Sequence, residues 1–309
     1  MGTSPLGRTL VIANPAANRG QGSEGAAFVQ CFLDSYHSAT THHELILTKA
    51  AGDAESLARE ASGFDTILAL GGDGVIHEVV NGLMKRDAND RPQLGIIPMG
   101  SGNDYARTLG MAINDPSRAL AQLVRGHVFS LEVGHVNGVY FMETLSFGMD
   151  AAIALDTVRR RQEETTSQHG EGLFITSGIR IFSAGSNGWP CRAQFDGMPE
   201  VKLPTVIFAV QVGPTYGGGF AICPEADPSD GLLDVCYNVK IPGRPRLLAL
   251  LGLARFGRHT GSDCVNLLRF TRATMDFETQ PPCQVDGEEL RGTHFEVEVV
   301  PKALRVIAP

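Results

Sequence analysis

TILALGGDGVIHEVVNGLM, residues Thr66–Met84, reads as a short buried strand that delivers a Gly-rich turn onto the first turn of a helix. Ile67, Leu68 and Leu70 form the apolar run, and Gly71, Gly72 and Gly74 leave the turn without Cβ atoms, so that backbone N–H groups can approach an anion. Val75, Val79, Val80 and Leu83 then recur at helical spacing. The N-terminus of that helix adds unpaired donors and a partial positive charge. Asp73 stands in the same turn, where a carboxylate would be repelled by phosphate unless Mg²⁺ or a reacting hydroxyl lay between them. It therefore points to chemistry more than to binding.

Outward from this stretch the first part of the chain alternates strand and helix signals. Strands are expected at Leu10–Ala13, Leu45–Thr48, Ile67–Leu70 and Gly95–Pro98, with helices from Ser23, Asp53, Val75 and Asp104. This is the rhythm of a parallel sheet, whose ligands lie at the carboxyl ends of the strands. In the first helix Val29, Phe32, Leu33 and Tyr36 share one face, and Gly110 is placed to stop the helix after Asp104. Three Gly-rich loops follow strands and so fall on one rim. They are Asn14-Pro15-Ala16-Ala17-Asn18-Arg19-Gly20-Gln21-Gly22, the GGDG turn, and Pro98-Met99-Gly100-Ser101-Gly102-Asn103-Asp104. Arg19 offers a fixed charge for phosphate and Ser101 a hydroxyl and an N–H, while Asn103 or Asp104 is expected to cap the next helix.

After about Gly126 the texture changes to short β-rich runs, Val128–Val133, Val139–Phe147, Val206–Val212 and Leu233–Val239, and a second, strand-rich domain follows from them. Two helical insertions are expected within it, Ala151–Glu164 with Arg159–Arg161 at its end, and Arg244–Arg258. Each is apolar on one side with basic flanks, a pattern that suits either a core cover or contact with a membrane surface.

The 309 residues are 43% hydrophobic, enough for a sizeable core and for two domains. A net charge of −8 argues against a nucleic-acid partner, which needs a basic stripe. The longest apolar stretch, Leu247–Ala254, is far too short to span a bilayer, and neither a signal peptide nor a myristoylation motif opens the chain at Met1-Gly2. Cys31, Cys191, Cys223, Cys236, Cys264 and Cys283 contain no CxxC pair and read as reduced core residues of a cytoplasmic protein.

Competing motifs are weaker. Gly20-Gln21-Gly22-Ser23-Glu24-Gly25 fits GxGxxG with Glu44 beyond it, but Asn14–Arg19 separate it from the strand that a dinucleotide fingerprint should follow. No P-loop, nucleophile elbow or HExxH helix occurs, and the nine histidines, His42-His43 among them, form no evident metal set.

Taken in order, NPAANRGQG, GGDGVIHEVVNGL, GIIPMGSGND, Tyr216-Gly217-Gly218-Gly219-Phe220, Asp230-Gly231-Leu232-Leu233-Asp234 and Val285-Asp286-Gly287-Glu288 resemble the diacylglycerol kinase catalytic-domain family, which includes soluble bacterial lipid kinases and the sphingosine and ceramide kinases. The resemblance spans nearly the whole chain. It implies an α/β fold, with an N-terminal parallel-sheet nucleotide domain of residues 1–126 plus about 301–309 and a β-sandwich-like lipid-substrate domain of residues 127–300, and an active site in the cleft between them. The strand at Ala303–Ala308 is expected to return to the first domain.

By the same resemblance Asn14, Pro15, Arg19, Thr48, Gly71, Gly72, Asp73, Gly74, Glu78, Gly100, Ser101 and Asn103 surround ATP, and Asp73 faces the phosphates and Mg²⁺. Glu288 is the implied base that takes a proton from a lipid hydroxyl, with Asp286 supporting its loop. Asp227, Asp230 and the carbonyl of Leu232 are the implied ligands of a structural Mg²⁺, with Asp234 as a further group. The implied partners are ATP and a lipid alcohol, diacylglycerol first, with sphingoid base, phosphatidylglycerol or an isoprenoid alcohol as other choices. A cytoplasmic enzyme visiting a membrane surface, as a monomer or homodimer, fits this reading. A kinase of a soluble substrate such as NAD and a nucleotide-binding regulator without catalysis are the alternatives.

Val75 and His77 depart from the commonest bacterial pattern, which has Thr and often Asn at those positions. His77 and Asn81 lie one turn apart on the side of the helix away from the valines, where solvent exposure, helix packing and ligand contact are all open. Asp150, beside Phe147-Gly148, is either a headgroup contact or an ordinary surface acid.

Overall fold

The structure, a computed structural model, describes residues 6–35, 42–162, 170–184 and 187–309, apart from the side chains of residues 161, 162, 170 and 171. Met1-Gly2, Tyr36 and Glu164 lie outside the described residues, as does the Arg161 side chain. The chain forms two compact units, Met1–Glu132 with Lys302–Pro309 and Val133–Pro301.

In the first unit β1 (Arg8–Ala13), α1 (Gln21–Ser35), β2 (His42–Leu47), α2 (Asp53–Glu60), β3 (Thr66–Gly71), α3 (Asp73–Met84), β4 (Gln93–Pro98), α4 (Asp104–Thr108) and α5 (Pro116–Arg125) follow one another. The strands lie parallel in the order β2-β1-β3-β4. Every residue of β3 is buried, as a strand covered on both faces requires. Helices α1 and α3 each begin two residues before the expected start, because the first turn extends past the first apolar residue to the loop that feeds it. The short α4 stops where expected, with Gly110 in the left-handed region at φ 68°. Helix α5 was not anticipated; Asp115 accepts a hydrogen bond from Arg118 N–H at its cap, Pro116 opens it, and Ala119, Leu120 and Leu123 are buried.

The second unit is reached through β5 (His127–Val136), and continues with β6 (Val139–Phe141), β7 (Thr144–Gly148), α6 (Met149–Gln162), α7 (Gly170–Ala184), β8 (Trp189–Phe195), β9 (Val201–Thr205), β10 (Ile207–Gln211), β11 (Leu233–Asn238), α8 (Arg244–Ala254), β12 (Val265–Phe270), β13 (Arg272–Phe277), β14 (Cys283–Val285), β15 (Glu288–Glu289) and β16 (His294–Ala308). The antiparallel sheet β12-β11-β10-β7-β14-β15 packs against β9-β8-β13-β16 through Phe147, Phe195, Phe208, Phe277 and Phe295. A sandwich results. Along β10 and β11 the residues alternate, Phe208, Val210, Val235 and Tyr237 toward the sandwich core and Ala209 and Cys236 toward the helices.

Three helices stand where two insertions were expected, since α7 was not read from the sequence. The expected single strand Val139–Phe147 is two, β6 and β7, because the N–H groups of Met142, Glu143 and Thr144 turn to the Asp286 carboxylate. All six cysteines are free thiols, and five are buried; Cys31 is exposed and is not a core residue. Beyond Pro301, β16 enters the first unit and Val306 pairs parallel with Leu94 of β4.

Candidate active site

The Gly-rich loops of the first unit are locked to one another by backbone contact. A Cβ on Gly100 would lie 2.5 Å from the Gly72 Cα, so only glycine allows the GGDG turn and the following loop to meet at this distance. Met99 N–H donates to the Gly71 carbonyl at 2.7 Å, and Asn103 N–H to Asp73 Oδ2 at 2.7 Å. Asp73 thus holds the GSGND loop with one oxygen, a role its spacing did not reveal. No side chain caps α3, and of its first-turn donors the Val75 N–H is taken by the Gly72 carbonyl at 3.1 Å.

Asn103 sits at the cap position of α4 with φ 53°, but its side chain makes no cap bond; its amide donates back to the Gly100 carbonyl at 2.7 Å. Asn114, missed from sequence, donates to the same carbonyl at 3.2 Å. The sequence signal for it was the turn pattern Asn114-Asp115-Pro116, and Asn114 takes left-handed backbone at φ 54°. Ser101 and Gly102 are half-buried beside Asp73.

In the first loop Asn14 Oδ1 accepts from Ala16 N–H at 2.9 Å, and Asn18, Arg19 and Gly20 take left-handed backbone before α1. Pro15 is half-buried and its carbonyl accepts from Ser23 Oγ at 3.4 Å, while Arg19 is exposed. Two glycines of the GxGxxG match serve packing, since a Cβ on Gly22 would lie 2.1 Å from the Asn14 carbonyl oxygen and one on Gly25 2.3 Å from Met99 Sδ, while Gly20 serves a left-handed turn at φ 88°. Thr48 continues β2 by donating its N–H to the Ala13 carbonyl at 2.9 Å. The Glu78 carboxylate accepts from Gly52 N–H at 2.9 Å and Ala54 N–H at 3.1 Å, which places it on the N-terminus of α2. Val75 is buried over Gly71. His77 and Asn81 are buried too, with Asn81 Nδ2 at 3.0 Å from the His77 carbonyl, so solvent exposure is ruled out for both.

In the second unit the β14–β15 hairpin carries Glu288. Asp286 occupies its turn at φ 48°, and its carboxylate accepts from the N–H groups of Met142, Glu143 and Thr144 at 2.9, 3.1 and 2.9 Å. Gln284, which the sequence did not single out, accepts from Gly287 N–H at 2.7 Å and donates to Ser146 Oγ at 2.8 Å. These bonds fix the turn, and Glu288 one residue on is exposed. Asp150 is not a surface acid. It is buried, accepts from Tyr216 Oη of the YGGGF turn, and burial pushes its carboxyl up to about 7, with the Ser146 hydroxyl pulling part of the way back.

The acidic turn between β10 and β11 has the oxygen donors a hard cation prefers, but they are turned to other partners. Asp227 Oδ1 accepts from Ser229 N–H and Oγ at 3.0 and 2.6 Å, and Asp230 Oδ1 from Leu232 N–H at 3.0 Å. Arg269 Nε donates to Asp234 Oδ1 at 3.2 Å, and its Nη2 to the Glu225 carbonyl at 2.9 Å. Burial raises the Asp234 carboxyl while Arg269 draws it back down. Among the described residues no three His, Cys, Asp or Glu side chains converge, and one oxygen each of Asp227, Asp230 and Asp234 is taken by a neighbouring donor. Arg269 supplies positive charge there.

The chain thus joins a parallel-sheet unit with interlocked glycine loops to a sandwich unit with a pinned carboxylate hairpin. The diacylglycerol kinase catalytic domain matches residues 8–136, and the YegS C-terminal NAD kinase beta sandwich-like domain matches residues 143–308. A diacylglycerol kinase of Mycobacterium tuberculosis is 31% identical over 309 residues, covering 98% of this chain and 96% of its own. A probable lipid kinase YegS-like protein of Alcanivorax borkumensis is 32% identical over 276 residues, 86% of this chain and 88% of its own. A diacylglycerol kinase structure from Bacillus anthracis str. Sterne superposes with a TM-score of 0.79 at 24% identity, over 100% of this chain and 99% of the other, a likeness of fold. This chain belongs to the diacylglycerol kinase catalytic-domain family of lipid kinases.

Proposed function

We propose that this chain transfers the γ-phosphate of Mg·ATP to the hydroxyl of a lipid alcohol, with diacylglycerol the first candidate. Two features, each within its own unit, support the proposal: interlocked glycine loops around Asp73 in the first, and an exposed carboxylate, Glu288, on a hairpin pinned by Asp286 in the second. The nucleotide phosphates meet the amide donors at the start of α3 and the loop Gly100–Gly102, with Arg19 and Asn14 at their margin. Asp73 would hold the Mg²⁺ that comes with ATP, which would neutralise phosphate charge there. The lipid hydroxyl oxygen attacks the γ-phosphorus as the bond to the β–γ bridging oxygen breaks, ADP leaves, and the hydroxyl proton passes to Glu288.

Transfer of labelled γ-phosphate from ATP to lipid alcohols in mixed micelles tests this reading, with wild type beside Glu288→Gln. Loss of a general base costs roughly 10²–10⁴-fold, so the variant should bind ATP normally and lose turnover by about that factor. Transfer to NAD with none to any lipid would favour the soluble-substrate kinase instead.

A further inference from the structure

Past its first turn, which carries Arg244 and Arg246, helix α8 is apolar on every face rather than on one side as expected. From Leu247 to Ala254 it reads LLALLGLA, with no charged or polar side chain. Leu247 and Ala254 join the core under the six-stranded sheet, and Leu251 packs over Gly178 of α7. A helix of this composition belongs in an interior. Its outer face nevertheless lies open: Leu248 and Leu253 are 36% and 41% exposed, and Phe256, just past the helix, is 72% exposed.

Basic residues flank this face, with Asp263 as an acid beside them. Residues 240–258 carry Lys240, Arg244, Arg246, Arg255 and Arg258 and no acid, within a chain of net charge −8. Lys240 and Arg246 pair with Asp263, Arg244 donates to the Ala184 carbonyl at 3.1 Å, and the Arg255 guanidinium lies 5.7 Å from the centre of the Phe256 ring. An apolar centre with a basic rim is the pattern of a surface that rests in the headgroup region of a bilayer, where acyl chains take the apolar residues and lipid phosphates meet the arginines.

We propose that the outer face of α8 with Phe256 seats this protein on an anionic lipid surface. Charge selects this occupant over a second copy of the chain, since a two-fold contact through the same face would set arginine against arginine. The use of such a surface rests on the lipid kinase reading; its test does not.

The test is co-sedimentation with phosphatidylcholine vesicles containing phosphatidylglycerol, against vesicles of phosphatidylcholine alone, without ATP. Wild type should bind the anionic vesicles and release as salt rises. Replacing Leu253 and Phe256 together by Ser should weaken binding at least about ten-fold, and Arg258→Glu should weaken it on the anionic vesicles alone. Equal binding by all three proteins, or no preference for anionic lipid, would overturn the proposal, as would a wild-type dimer without vesicles that the Ser variant converts to monomer. Phosphorylation of a short-chain, water-soluble lipid alcohol should be unchanged in these variants. If no protein phosphorylates any lipid alcohol, the kinase reading fails while the vesicle result stands by itself.

Discussion

Asp150 shows how far one residue can depart from its appearance in the sequence. Beside Phe147-Gly148 it looks like any acid at the start of a helix, yet the fold buries it against Tyr216 and raises its carboxyl from 3.8 to about 7, burial being the larger cause and the Ser146 hydroxyl opposing it. Between these two values the folded chain holds a proton at this site that the unfolded chain has released. Stability therefore falls as pH rises through the window, by up to about 1.4 kcal/mol per pH unit. An amide in the same place does not titrate. Thermal melts of wild type and Asp150→Asn between about pH 4 and pH 8 should show the wild type losing ground steadily to the variant. Parallel curves would mean that the carboxyl is ionised throughout the range.

At the scale of elements, the β14–β15 hairpin is held by the β14–β7 ladder and the Gln284 bonds, and the Asp286 carboxylate adds three hydrogen bonds to the strand turn at residues 142–144. Asp286→Ala would leave the N–H groups of Met142, Glu143 and Thr144 without their acceptor, at a cost of roughly 2–3 kcal/mol. The expected outcome is a lower melting temperature and weak phosphoryl transfer with ATP affinity retained. A variant with full turnover would detach the hairpin from the chemistry. The same bonds explain why one strand was expected where β6 and β7 stand: periodicity reports which residues are apolar, and cannot report a carboxylate arriving from residue 286. Elements with strong local patterns, such as β3 and α3, were legible because burial and helical spacing coincide within a few residues. Helix α5 was legible in principle from Asp115-Pro116, whereas Glu78 could not be placed from spacing, because its partners Gly52 and Ala54 are brought to it by the packing of α2 on α3. The mutual seating of Gly72 and Gly100 is likewise a product of two parallel strands ending together.

For the molecule as a whole, the first unit is not a contiguous piece of chain, because its sheet is completed from the other end of the sequence. Lys302, at φ 52°, marks where β16 leaves the sandwich, and Val306 then pairs with Leu94 while Arg91 bonds the Ala303 carbonyl and Arg305 Nη2 donates to the Arg91 carbonyl at 3.0 Å. Leu304, Val306 and Ile307 are buried in the unit they join. Each contributes roughly 1.5–3 kcal/mol by burial, a sum comparable to the roughly 5–15 kcal/mol that holds an ordinary domain together. Removing them also bares the edge of β4 to other chains. A chain cut after Pro301 should therefore lose cooperative melting of the first unit and aggregate, and the milder Ile307→Ala should cost about 2–5 kcal/mol with the fold intact. Circular dichroism melts of the two proteins beside wild type decide the matter: a truncated chain that melts like the parent would show that β1 to β4 with their helices suffice, and that β16 only ties the ends of the sequence together.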